Sequence, residues 1–510
     1  MTYRLKKKRA KRTRKLVMKK ADPSRVFEKN SLQLLQSALG ELEKGYLMLP
    51  ASKPAIPAKK AFEEVMFDVA ERMKDNYPYF HPFYAGQMLK PPHPIAKIAY
   101  MLSMWINPNN HALDGGRASS KMEKEAVAEI ARMFGWTRHL GHLTGGGTMA
   151  NLEALWVAGQ LNTKKKVLAS GQAHYTHSRI SSVLGLAFES VASQENGRMD
   201  LDDLKKHLDT GDVGTVVATI GTTAVGATDP LPEILRLREE YGFRLHADAA
   251  YGGYYVLADN LSAETRKVYD RIGDVDSIVV DPHKHGLQPY GCGCVIFRDP
   301  TVGRFYKHDS PYTYFTSEES AEGETSGGSL HLGEISLECS RAGASAVALW
   351  ATQRLLPLFR GGEFAESLHR CREAALEFHG RLARDARFIT PFPPELDIII
   401  WAPKADKASS ASELSRKIFD EAAKLNLHLA LADLPSSFFD LDGAGIQRDA
   451  ETITCLRSVL MKPEHLDWVD RIWKLLDEAA ERALSENAKR VDKTSGIAGS
   501  SQKSRSGKKK

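Results

Sequence analysis

Apolar positions recur at helical spacing early in the chain. Leu32, Leu35, Ala38, Leu39 and Leu42 fall on one helical face, and Phe62, Val65, Met66 and Val69 on another, with a Pro-containing stretch from Leu49 to Pro57 between them. The aromatic, Pro-broken segment His81-Pro82-Phe83-Tyr84 reads as a loop or turn. From about residue 121 the pattern becomes an alternation of helices and short apolar runs. Met122, Ala126, Val127, Ile130 and Phe134 keep helical spacing. Gly145-Gly146-Gly147-Thr148 then precedes a helix with Leu152, Leu155, Trp156 and Gly159 along one face. Short β-rich runs follow at Thr215–Ile220, Phe243–Ala247, Ser277–Val280 and Cys294–Phe297, with helical stretches such as Leu231–Tyr241 between several of them. Short hydrophobic strands separated by helices predict an α/β fold with a parallel sheet covered on both faces. In such sheets ligands sit beyond the C-terminal ends of the strands.

Residues 305–335 break the alternation. This stretch is aromatic at its start and polar through Ser317–Ser329, and a loop so long is usually functional or disordered. A helix is predicted across Ala342–Leu355. A smaller α+β domain follows, with a strand at Leu396–Trp401 and a closing helix across Leu466–Leu484. The chain therefore divides into a basic tail (1–25), an N-terminal helical segment (26–110), a large domain (111–360), a small C-terminal domain (361–486) and a second basic tail (487–510).

Charge sharpens the view of the tails. The formal net charge is +6, yet residues 1–20 hold eleven Lys/Arg and no acid, and residues 487–510 hold eight Lys/Arg against one Asp. The body, residues 21–486, is left at −12. The tails lack apolar periodicity and read as disordered, with solubilising or incidental roles set against contact with nucleic acid or an anionic surface. No window of about 18 apolar residues predicts a membrane span. The five cysteines are odd in number and lack metal-ligand spacing, so they read as reduced, buried hydrophobes in a cytoplasmic protein; no metal site is expected.

Candidate chemistry lies at the predicted strand ends. The glycine run before a helix would let backbone N–H groups approach an anion. Asp248, in His246-Ala247-Asp248-Ala249-Ala250-Tyr251, is a carboxylate with small residues beside it, suited to keeping a pyridinium nitrogen protonated or to capping a helix. Lys284, in Asp281-Pro282-His283-Lys284-His285-Gly286, sits between two histidines, and neighbouring cations with partial burial would favour the free amine that imine formation needs. His174 would stack on a planar ring or pack in a core. An anion cradle, a ring-nitrogen carboxylate and an imine lysine together are the needs of pyridoxal 5'-phosphate.

Thr144–Leu152 (TGGGTMANL), Ala173–His177, Gly221-Thr222-Thr223, His246–Gly253 and Asp281–Lys284 stand in the order of the group II pyridoxal-phosphate decarboxylases, and residues from about His81 to Leu355 resemble that family. The resemblance implies a fold-type I, aspartate aminotransferase-like architecture and a homodimer with shared active sites. It implies decarboxylation of an L-amino acid to the amine and CO2 through a Schiff base at Lys284, with another carbon–carbon lyase reaction or a decarboxylating aldehyde synthase as the alternative. It also implies roles. Asp248 would pair with the ring nitrogen, Ala250 and His174 would cover the two ring faces, and Thr223 would contact the ring substituents. Gly147 and Thr148 would hold the phosphate, with Asp281 or His283 close by. His283 would contact the substrate carboxylate or assist proton transfer, and Tyr312 or Tyr314 would donate the proton to Cα. Substrate selection is expected either from the aromatic residues His81, Phe83 and Tyr84 or, for an acidic substrate, from Asn107, Asn109, Asn110, His111, Arg117, Ser119 and Arg341. The segment Asn107–Ser120 departs from the aromatic-decarboxylase pattern.

Overall fold

Seven strands build one sheet around which the larger part of the molecule is arranged. The computed structural model describes residues 30–50, 59–112, 115–163, 165–306 and 336–501. The strands are β1 (Leu140–Thr144), β2 (Lys166–Ser170), β3 (Phe188–Val191), β4 (Val213–Thr219), β5 (Arg244–Asp248), β6 (Ser277–Val280) and β7 (Gly293–Phe297), in the order β1-β7-β6-β5-β4-β2-β3. Neighbours from β3 through β6 pair in parallel, whereas β7 runs antiparallel to both β6 and β1. The sheet is therefore mainly parallel, as the sequence pattern predicts, with one reversed strand. Every residue of β4, β6 and β7 is buried. Burial on both faces is why these strands read as continuous apolar runs.

The helices in chain order are α1 (Asn30–Lys44), α2 (Lys59–Met73), α3 (Pro94–Ser103), α4 (Arg117–Met133), α5 (Gly147–Leu161), α6 (Thr176–Leu184), α7 (Leu201–Leu208), α8 (Leu231–Tyr241), α9 (Ala263–Tyr269) and α10 (Gly343–Leu355). Ala150, Ala154 and Val157 of α5 pack against Val279, Val295 and Phe297 of the sheet. Ile180 of α6 meets Val167, Ala169 and Val217. The helices α5 and α6 thus start at strand ends and lie back over the sheet, which points their N-termini at the edge where the strands finish.

After α11 (Glu363–Arg384), a second sheet of β8 (Phe388–Ile389), β9 (Ile398–Pro403), β10 (Ala430–Pro435) and β11 (Thr452–Val459) has the order β10-β11-β9-β8 and is antiparallel throughout. With α12 (Ala408–Lys424) and α13 (His465–Ser501) it encloses Phe378, Trp401, Ile418, Leu456 and Ile472. Only β9 stood out in the sequence. β11 is hidden because its buried positions, on both faces, include Thr454, Arg457 and Ser458, which a hydrophobicity pattern scores as exposed. The backbone of α13 continues to Ser501, into the segment expected to be a disordered tail. Residues 484–495 contain neither Gly nor Pro and several strong helix formers, which favours continuation.

Among the described residues no helix is long and apolar enough to cross a membrane, and no cluster of His, Cys, Asp or Glu is arranged to hold a metal ion. The helix α2 leaves Phe62, Val65, Met66, Phe67 and Val69 exposed.

Candidate active site

Five strand ends meet around one cavity of about 520 Å³. From β1 comes the turn Gly145–Gly147 leading into α5. The segment between β2 and α6 supplies His174, and the first residue of α6 is Thr176. The end of β4 supplies Thr219, Gly221 and Thr223. Asp248, Ala250 and Tyr251 come from β5, and Asp281, His283 and Lys284 from the loop after β6. This loop brings in the lysine because Lys284 N–H donates to Asp281 O and His283 N–H donates to Cys292 O just before β7, closing a tight turn. Every cofactor contact predicted from sequence, Gly147, Thr148, His174, Thr223, Asp248, Ala250, Asp281, His283 and Lys284, lines this cavity. Tyr312 and Tyr314 lie outside the described residues.

The glycine turn is shaped for an anion. Gly146 has φ of 153°, and a Cβ on Gly147 would lie 2.6 Å from Asp281 Oδ2, so no larger residue fits there without displacement. The turn already engages one anionic group, because the backbone N–H of Gly145 donates to Glu338 Oε2 at 2.9 Å. The N-terminus of α5 adds its own free N–H groups beside it.

Lys284 Nζ is 3.2 Å from Asp281 Oδ2, and Asp281 Oδ1 is buried without a hydrogen-bond partner among the described residues. This corrects the expected setting of the lysine, since its nearest charge is a carboxylate. Neither flanking histidine behaves as a neighbouring cation. Burial lowers the pKa of His283, opposed by Asp281, and His283 Nδ1–H donates to Cys292 O at 2.8 Å. His285 points away from the cavity, fully buried, with Nε2 3.2 Å from Asp397 Oδ2. Tyr251 OH donates to the other oxygen of Asp397 at 2.6 Å. The loop carrying Lys284 is thereby tied to the residue just before β9 of the small domain.

His174 is half-buried and its pKa is lowered by that burial. Its Nδ1 lies 2.8 Å from Thr176 Oγ1, which fixes the ring at the cavity wall. Asp248 is buried, with Oδ2 2.8 Å from His177 Nε2 and Oδ1 accepting the Ala250 N–H at 3.2 Å. Burial alone would push this carboxyl up; the hydrogen bond and charge of His177, with Lys284 and His246, instead hold it well below the usual carboxylate range.

The proposed acidic-substrate donors belong elsewhere. Asn110 donates to Glu123 Oε2 at 2.6 Å, Ser119 bonds Asn110, and Arg341 donates to Glu123 Oε1 and to Leu143 O, both at 2.7 Å. This buried group braces β1 against α4, and none of its members lines the cavity. The structure also brings in residues that carried no sequence signal. Tyr290 packs on His283 with ring centroids 4.9 Å apart and donates to Met88 O. Arg457, buried on β11, donates to Thr223 O at 2.7 Å, Ala224 O, Gly86 O and Gln87 Oε1. A lone Arg in a mixed-polarity strand looks solvent-facing until the fold is known.

The residues present fit pyridoxal phosphate: an anion-binding turn, an ionised carboxylate, flat-ring neighbours and a primary amine share one cavity. A mainly parallel sheet with this site at its strand ends is the arrangement of a fold-type I pyridoxal-phosphate enzyme. Residues 151–402 match the pyridoxal-dependent decarboxylase conserved domain. The chain is 26% identical over 556 residues to an L-tyrosine decarboxylase of Enterococcus faecium, covering 83% of this chain and 89% of that one. It is 29% identical over 292 residues to an L-aspartate decarboxylase of Thermococcus kodakarensis, covering 57% of this chain and 72% of the relative. In fold it resembles the crystal structure of Oryza sativa TDC with PLP and tryptamine, with TM-score 0.71 and 19% identity over 91% of this chain and 99% of that one. The chain belongs to the group II pyridoxal-phosphate-dependent decarboxylases. Its cofactor is pyridoxal phosphate and its reaction is the decarboxylation of an amino acid.

Proposed function

We propose that the cavity at the strand ends is the catalytic site, with Lys284 as the residue that bonds the cofactor aldehyde and Asp248 as the partner of its ring nitrogen. The observation that carries this is their convergence: a primary amine and a buried, ionised carboxylate line the same cavity as an anion-binding glycine turn. Gly147 and Thr148 would hold the phosphate at the N-terminus of α5, where free N–H groups and the helix dipole favour negative charge. Ala250 and His174 would cover the two ring faces, and Thr223 the ring substituents. When bound, pyridoxal phosphate supplies a ring that takes up the electron pair left as the substrate carboxylate departs as CO2. Asp248 holds a proton at the ring nitrogen and so keeps the site attractive to those electrons. His283 stands beside Lys284, its Nδ1 fixed by Cys292 O, leaving Nε2 toward Asp281 at 3.5 Å and placed to contact a substrate carboxylate or pass a proton. Arg457 puts a positive charge behind Thr223 that favours an anionic substrate group in the cavity.

The products would be the amine and CO2. Incubating the purified holoenzyme with each of the twenty amino acids, L-tyrosine and L-aspartate first, and measuring CO2 and amine tests this directly. Aldehyde with peroxide, or no CO2 from any amino acid, would reject it. The same reading makes the molecule a cytoplasmic homodimer. The exposed apolar side chains of α2, together with Met101 in the last turn of α3 and Met104, Trp105 and Ile106 just after it, support the dimer, and the free cysteines suit a reducing compartment.

A further inference from the structure

Asp248 is held from two directions, and the two holds differ in kind. The Ala250 N–H comes from the local turn, only two residues on. The contact at Oδ2 comes from α6, 71 residues away in sequence, through His177 Nε2 at 2.8 Å. A carboxylate oxygen can only accept, so His177 donates. The two side chains are 1% and 5% exposed. His177 Nδ1 has no hydrogen-bond partner among the described residues, so the single polar contact of this imidazole is the carboxylate. His177 does not line the cavity; it stands behind Asp248, away from the space a ligand would fill.

Among the described residues no other side chain can take this place. The further charged or titratable groups that act on Asp248 are His246 on β5, Lys284 from the loop after β6 and His174 from the segment before α6. His246 is saturated, with Nε2 2.8 Å from Asn151 Oδ1 and Nδ1 2.9 Å from Ser277 Oγ. Lys284 is engaged by Asp281 and His174 by Thr176. A carboxylate has about four lone-pair positions, and the two contacts it makes leave room for a third donor from the cavity.

We propose that His177 is the positioning residue for Asp248: its Nε2–H keeps the carboxylate ionised and turned toward the ring nitrogen of the bound cofactor, so that the ring retains its proton. The inference rests on the reading of Asp248 given above. Removing the histidine leaves a buried carboxylate with one backbone donor, a state that favours its neutral form and weakens its hold on a pyridinium.

The test is a titration of the apoenzymes of wild type, His177→Phe, His177→Gln and Asp248→Asn with pyridoxal phosphate, followed by absorbance. A pH scan of each bound-cofactor spectrum, a melting curve of each apoenzyme, and kcat and KM complete it. His177→Phe should bind the cofactor about 10- to 100-fold more weakly, the range for losing one charge-assisted hydrogen bond. Its spectral midpoint should move by about one pH unit or more, and kcat should fall with KM nearly unchanged. His177→Gln, whose amide can donate from a similar position, should recover most of each effect. The proposal is overturned if His177→Phe matches wild type in cofactor affinity and spectral midpoint. It is equally overturned if Phe and Gln are impaired alike and the apoenzymes melt alike at a lowered temperature, since that marks a packing role. Asp248→Asn separates the two levels: wild-type behaviour there sinks the reading of the site, whereas impairment there with none in His177→Phe sinks this inference alone.

Discussion

Lys284 and Gly147 are both disciplined by one residue, Asp281. Its Oδ2 is 3.2 Å from the lysine nitrogen and would be 2.6 Å from any Cβ at position 147. Lys284→Ala should abolish the visible absorbance of the bound cofactor and lower kcat by more than about a thousandfold, as for other covalent catalytic groups; reconstitution followed by absorbance and single-turnover CO2 release checks both. Gly147→Ala should push Asp281 aside, costing about 1–3 kcal/mol as overpacked substitutions do and weakening cofactor affinity, read from the melting midpoint and a cofactor titration. Asp248, His174 and Lys284 were legible because each stands next to a strand end with a recognisable local pattern, whereas Thr223 was legible only through the family resemblance. His177 falls within such a motif, yet nothing local gives it a role, since its partner is supplied by β5. Arg457 was illegible for the same reason: all four of its acceptors come from distant segments.

Among the elements, β4 to β7 could be read from the sequence because their apolar runs are continuous, and β1 to β3 could not. β1 contains Gly141 and His142, and His142 is buried only because Glu153 of α5 lies 2.9 Å from its Nε2. A polar pair buried across an interface erases the pattern that would announce the strand. The same holds for the join between the loop after β6 and β9. Asp397 is fully buried between His285 and Tyr251, and nothing in Leu396–Trp401 marks it as an anchor. Asp397→Ala should leave both partners unsatisfied and destabilise the enzyme by about 3–5 kcal/mol. Denaturant unfolding measures that loss, and a change smaller than about 1 kcal/mol would show that the anchor is dispensable.

For the whole molecule, buried histidines set a response to acid. Burial pushes His246 and His465 down from 6.5 to about 3. A histidine whose native pKa is depressed takes up its proton first in the unfolded chain. Stability is therefore full above about pH 6.5 and is lost as pH falls from there toward 3, by an order of a few kcal/mol per group. His465→Gln should flatten that slope in melting curves taken across this window, and an unchanged slope would assign the acid response to other groups. Association is the second property at this scale. In the proposed homodimer, Phe67→Glu on α2 should raise the dissociation constant at least about tenfold, the effect of burying an unpaired charge in an apolar contact; sedimentation over a dilution series reports it.

The bare flank of α2 also bears on how the enzyme is made. A helix of 15 residues with its apolar side chains in water is marginal on its own. In the proposed dimer it would become firmly ordered only when two chains meet, so the last step of maturation would be second order. The yield of active enzyme would then rise more steeply than the concentration of chains, and a cell making few copies would hold a pool of finished sheets awaiting their counterparts.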